Sequence, residues 1–198
     1  MIKLVLATGN RDKVLEIKAL LQGLPVEVLT LGDYPDLVMP DEDRPTFAGN
    51  AIKKAEAISA ATDEIALADD SGLTVDALGG RPGVHSARYA GEAGNYRANN
   101  LLLLKELKGV PPERRSASFK CAIAVAVPGD RTCLIEESCS GRITEKLQGK
   151  GGFGYDPLFY YEPAGKTFAE MTTEEKNKVS HRGKALRRTR ELLEKLLK

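Results

Sequence analysis

At 198 residues, with 42% hydrophobic and 29% charged side chains, the chain has the size and composition of an ordinary globular protein of one large domain or two small ones. A formal net charge of +1 excludes the basic footprint of a duplex nucleic-acid binder, and no apolar run approaches the roughly 20 residues that cross a bilayer. The apolar start at Met1–Ala7 is too short for a signal peptide. The cysteines, Cys121, Cys133 and Cys139, have no C-x-x-C spacing and read as reduced buried thiols, which predicts a cytoplasmic protein.

Lys3 to Ala7 reads as a strand. Thr8, Gly9, Asn10, Arg11, Asp12 and Lys13 follow as a tight loop, and Val14, Ile17, Leu20 and Leu21 then fall at helical spacing, with Asn10 as the N-cap. Helix N-termini bind anions through free N–H groups and the dipole. A lysine in that first turn is unfavourable unless an anion meets it, so the loop fits either a phosphate site or a plain βα connection with a surface lysine. It is not a Walker A loop.

Gly23 closes this helix and Val26 to Leu29 forms a second strand. The irregular stretch 31–45 carries three prolines and the acid cluster Asp41-Glu42-Asp43, which is either a solvated loop or a source of metal-binding carboxylate. Thr46 to Ala61 is predicted as a helix. Ile65-Ala66-Leu67-Ala68 then reads as a buried parallel strand running into Asp69-Asp70-Ser71-Gly72. Ligands of open α/β sheets sit beyond such strand ends. Two adjacent carboxylates at that lip repel unless a cation lies between them or one is protonated; a shared magnesium ion is one solution and simple turn chemistry the other.

Leu73 to Leu78 is a short apolar piece before the turn Gly79-Gly80-Arg81-Pro82-Gly83. Asn95 to Leu107 is predicted as a helix, and Phe119 to Val127 with Thr132 to Ser138 as a hairpin. Ala122, Ala124 and Ala126 leave one face of the first hairpin strand open to close packing. Gly149 to Pro157, with Phe153, Gly154, Tyr155 and Asp156, combines glycines that admit a ligand with aromatic faces on which a base can stack. Thr172 and Glu175 form a capping box, and Ser180 caps a final leucine-striped helix that begins with His181 and Arg182.

Seven of these stretches, taken in order, resemble the inosine triphosphate pyrophosphatase family: Thr8-Gly9-Asn10 with Lys13, Thr46-Phe47 with Asn50-Ala51, Ala68 to Gly72, Pro82-Gly83 with Ser86 to Tyr89, Gly151 to Pro157, Glu175-Lys176, and Ser180-His181-Arg182. The resemblance implies one domain over 1–198 with an α/β fold, a long mixed bent sheet flanked by helices whose two lobes enclose a nucleotide-binding cleft. It implies a homodimer that hydrolyses ITP, dITP and XTP to the monophosphate and pyrophosphate with Mg²⁺. On matching positions, Thr8 to Lys13 would hold phosphates, Asp70 would be the catalytic carboxylate, and Glu42 and Asp70 would hold the metal. Ser71, Phe153 to Asp156, Lys176, His181 and Arg182 would bind substrate. Many members carry glutamate where Gly49 stands here. Three other readings of the same residues are a pyrophosphatase for modified pyrimidine or standard triphosphates, a nucleotide-binding regulator without hydrolysis, and an α/β scaffold with no ligand.

Overall fold

The computed structural model describes residues 2–197, the side chain of Leu20 excepted. The first three strands set the frame. β1 (Ile2–Leu6) lies between β2 (Val26–Thr30) and β3 (Ile65–Val75), parallel to both, with Leu4 opposite Ile65 and Leu6 opposite Leu67. α1 (Arg11–Leu21) connects β1 to β2, and α2 (Phe47–Thr62) precedes β3. β4 (Ser116–Ala126), β5 (Cys133–Ile143), β6 (Phe159–Tyr161) and β7 (Lys166–Thr167) complete a mixed seven-stranded sheet of order β2-β1-β3-β4-β5-β6-β7. β6 pairs antiparallel with both β5 and β7. The predicted α/β class with a long mixed sheet is therefore the observed one.

The chain divides into two compact units, one of Met1–Asp70, Cys121–Glu137 and Lys184–Lys198, the other of Ser71–Lys120 and Ser138–Gly183. In the first, the period-2 alternation of strand side chains sorts the core into two layers. Leu4, Leu6, Leu67, Cys121, Ile123 and Val125 pack with Ile17 and Leu21 of α1 and with Leu186 and Leu193 of α5 (His181–Leu196). Val5, Ala7, Ala66, Ala68, Ala122, Ala124 and Ala126 meet Ala51, Ala55 and Ile58 of α2. The small-residue face expected on β4 is thus filled by a helix that is itself alanine-rich where it touches, which lets helix and sheet backbones approach closely.

In the second unit Leu73, Val75, Phe119, Ile143, Tyr155, Phe159 and Phe168 form one core with Leu103 and Leu107, which belong to α3 (Tyr96–Glu106) and the residue that follows it. Phe119 packs tilted against Phe159 at 4.6 Å and parallel to Phe168 at 5.8 Å. α4 (Thr173–Val179) starts at the predicted capping box: Glu175 N–H donates to Thr172 Oγ1 at 3.1 Å, and Thr172 N–H to Glu175 Oε2 at 2.8 Å. Ser180 caps α5, accepting from Gly183 N–H at 3.1 Å.

Two expectations need correction. β3 does not stop at the acids; it runs on through Ser71 and Gly72 to Val75, so Asp69 and Asp70 sit in mid-strand. They still lie beyond the last β1 residue, because β1 ends at Leu6 opposite Leu67. The hairpin strands are also longer than predicted: β4 and β5, neighbours in the sheet, run for eleven residues each.

Candidate active site

The two acids divide between the faces of β3. Neighbouring strand residues point to opposite sides, so Asp69 and Asp70 cannot converge on one cation as their adjacency in sequence suggested. Asp69, fully buried, lies on the side of α1, and Lys13 Nζ reaches its Oδ2 at 3.0 Å. Asp69 thus supplies one anion to Lys13 from within the chain. Asn10 caps α1 as predicted, its Oδ1 accepting from Asp12 N–H at 3.0 Å and Lys13 N–H at 3.2 Å, while Thr8 Oγ1 accepts from Asn10 N–H.

Asp70 faces α2. Asn50 Nδ2 donates to Asp70 Oδ2 at 2.9 Å, and one turn later Lys54 Nζ reaches Glu42 Oε1 at 2.6 Å and Asp69 O at 2.8 Å. Burial pushes the Asp70 carboxyl above its ordinary value and the Glu42 charge adds to the rise; Lys54, the Asn50 amide and Lys13 oppose it. A buried carboxylate of raised basicity beside several charged partners is the setting in which a general base is found. Glu42 and Asp70 offer hard carboxylate oxygens, the donor type magnesium takes when substrate phosphates complete its shell, so the donor set fits that ion. Among the described residues no group of three or more His, Cys, Asp or Glu gathers as a metal cage.

Gly49 is the third residue of α2, and its N–H donates to Thr46 Oγ1 at 3.0 Å. A glutamate there stands where a capping box places its acid. Its absence from this chain therefore removes a helix cap rather than a demonstrated metal donor.

The remaining predicted residues lie in the second unit. Asp156, buried, accepts at Oδ2 from Phe153 N–H at 2.8 Å and from Lys176 Nζ at 2.7 Å. The turn is tight enough to require glycine: Gly152 has φ +67°, and a Cβ there would sit 2.1 Å from Asp156 Oδ2. Lys176 Nζ lies 4.6 Å from the Phe153 ring centre and Arg182 Cζ 5.4 Å. Arg182 donates to Ser71 Oγ at 2.7 Å, and His181 stacks on Phe119 at 4.7 Å and 8°. Tyr155 donates to Ser86 O at 2.9 Å and is held protonated by burial far above the usual phenol range. Gly154 O accepts from Asn100 Nδ2 at 2.8 Å.

Sequence reasoning missed Lys54 and Asn100. Lys54 stands on the buried alanine face of α2 one turn after Asn50, where a surface lysine has no place. Asn99-Asn100 breaks into the first turns of α3 just before a leucine run. Both anomalies were visible in the periodicity.

The Ham1 family model matches residues 4–192. A dITP/XTP pyrophosphatase of Desulforamulus reducens is 53% identical over 194 residues, covering 98% of this chain and 96% of that protein. The dITP/XTP pyrophosphatase of Bacillus subtilis is 47% identical over 190 residues, with 96% of each covered. Among solved structures, a Ham1 protein from Coxiella burnetii superposes with a TM-score of 0.91 at 37% identity, over 98% of this chain and 100% of that one. A nucleoside-triphosphatase described as a dITP/XTP pyrophosphatase from Mycobacterium abscessus gives 0.80 at 40% identity, over 95% and 98%. With a family model spanning nearly its whole length and relatives at this identity, the chain belongs to the Ham1 family.

Proposed function

We propose that the chain hydrolyses non-standard purine nucleoside triphosphates, ITP, dITP and XTP, to the monophosphate and pyrophosphate. The observation that carries this reading is the buried Asp70 carboxylate, held by Asn50 and of raised basicity, in a chain whose relatives are named dITP/XTP pyrophosphatases. Glu42 and Asp70 would hold Mg²⁺, which when bound supplies charge neutralisation and a template for the attacking water. Asp70 takes the water's proton at a carboxylate oxygen, directly or through a second water. Thr8, Gly9, Asn10, Arg11 and Asp12 present the start of α1 to the phosphates. Lys13, which Asp69 holds in place, meets the departing pyrophosphate.

Base choice follows from donors and acceptors. Hypoxanthine and xanthine carry an oxygen at position 6, where adenine carries an amine. Arg182 and His181 supply donors that suit the oxygen; Ser71, Lys176 and the Phe153–Asp156 turn hold the nucleoside. Guanine shares the oxygen but brings an amino group at position 2, and burying that donor unsatisfied costs ~1–3 kcal/mol, a discrimination of roughly tenfold to over a hundredfold. We place the enzyme in the cytoplasm as a homodimer, a state that light scattering on the eluting protein measures.

The test is purified protein with Mg²⁺ and a panel of ITP, XTP, dITP, GTP, ATP and pyrimidine triphosphates, scored for pyrophosphate against orthophosphate. Pyrophosphate from the 6-oxo purines, lost in Asp70→Asn, supports the reading. Orthophosphate as product, equal rates on ATP and ITP, or an unimpaired Asp70→Asn enzyme overturns it.

A further inference from the structure

Asn50 is 1% exposed and makes two hydrogen bonds that run in opposite directions. Its Oδ1 accepts from Arg44 N–H at 2.9 Å, in the loop that carries Glu42, and its Nδ2 donates to Asp70 Oδ2 at 2.9 Å. Because an N–H faces the amide oxygen, the amide can present only its NH₂ to Asp70. Lys54, four residues on and therefore on the same helix face, repeats the pattern with Glu42 Oε1 and Asp69 O. Two α2 side chains thus each touch both the acidic loop and the catalytic stretch of β3.

We propose that Asn50 is a positioning residue for the reaction: its side-chain amide sets the place and facing of Asp70 relative to the Glu42 loop, so that both carboxylates are ready for one divalent cation. This rests on the metal reading given under Proposed function. Ordinary packing of a buried amide needs its bonds satisfied but does not need them to join these two segments. Outer partners of metal-binding carboxylates affect metal affinity or turnover by about 10–100-fold when removed.

The test measures Mn²⁺ binding by electron paramagnetic resonance, with α,β-methylene-ITP saturating, alongside kcat and KM for ITP. Asn50→Leu keeps the approximate volume and removes both bonds. It is expected to weaken Mn²⁺ binding and lower kcat by about tenfold each, with KM for ITP within about twofold of wild type. Asn50→Asp keeps the shape and the acceptor for Arg44 N–H but faces Asp70 with an anion; kcat should fall at least about tenfold while the circular dichroism spectrum stays as in wild type. Mn²⁺ affinity and kcat within about twofold of wild type in Asn50→Leu, whatever the change in melting temperature, or wild-type kcat in Asn50→Asp, would overturn the proposal. Glu42→Gln and Asp70→Asn run beside them. If these bind Mn²⁺ as tightly as wild type, the metal reading itself has failed and the role of Asn50 goes with it; if they lose the metal while Asn50→Leu keeps it, only the role of Asn50 is refuted.

Discussion

Replacing Lys176 by methionine should destabilise the protein more than any surface charge change. The ammonium sits 2.7 Å from Asp156 Oδ2, with the two side chains 8% and 3% exposed. Methionine keeps most of the stem volume and removes the charge, so the loss reports the ion pair together with the contact of the ammonium on the Phe153 ring. An exposed pair is worth at most about 1 kcal/mol, whereas removing one partner of a buried pair strands the other and costs ~3–5 kcal/mol. The Phe153 N–H remains on the same oxygen and offsets part of this. For a chain of this size 1 kcal/mol shifts the melting temperature by about 2–4 °C, which gives a fall of roughly 6–20 °C by differential scanning calorimetry. The double variant Lys176→Met/Asp156→Asn restores charge balance and keeps an acceptor for Phe153, so it should melt above Lys176→Met. A fall below about 2 °C, the range of a surface pair, or a double variant that melts lower still, would refute the argument.

Asp70→Asn should lose ITP hydrolysis yet melt above wild type at neutral pH without metal. Burial raises the folded-state pKa of Asp70 above its unfolded value, so its ionisation costs stability that appears as pH rises through the unfolded value, and the gain in melting temperature should vanish towards acid. Arg182→Ala should lose ITP activity far more than it gains ATP activity; unchanged kinetics would remove Arg182 from base readout. Tyr89 donates to Glu106, and burial followed by that carboxylate pushes its phenol up to about 12. The stability it contributes is complete below the ordinary phenol value near 10 and is lost as pH rises towards 12, a loss that denaturant titrations should find missing in Tyr89→Phe. Gly183→Ala would bring a Cβ within 1.9 Å of Asn177 O; overpacking of ~1–3 kcal/mol should exceed the ~1 kcal/mol gain in helix propensity and lower the melting temperature.

Much of this was legible because local chemistry and tertiary role agree. Asn10 before an apolar period, Thr172 with Glu175, and Ser180 before the leucine stripe all cap the helices expected of them. The acids of β3 misled because Asp-Asp-Ser-Gly has turn composition, while its place in the strand is fixed by tertiary pairing and by partners distant in sequence: Lys13 lies 56 positions from Asp69 and Asn50 lies 20 from Asp70. Strand alternation alone was enough to predict that the two carboxylates part company, and that inference was available from the moment a strand was assigned. The brackets made by Asn50 and Lys54 were not, since spacing on one helix says nothing about which loop returns to meet it. Tyr155 and Asp156 illustrate the same limit: composition marked their loop for ligand contact but said nothing of the partners that brace it, Ser86 for Tyr155 and Lys176 for Asp156.

The sheet narrows as it ends. β6 has three residues and β7, the last strand, only Lys166–Thr167. An incoming extended segment would find almost no ladder to copy on that margin, and Lys166 puts a charge at its tip. Strand-on-strand growth into fibrils is therefore disfavoured from this side, and any companion that approaches there has to be recognised by side chains.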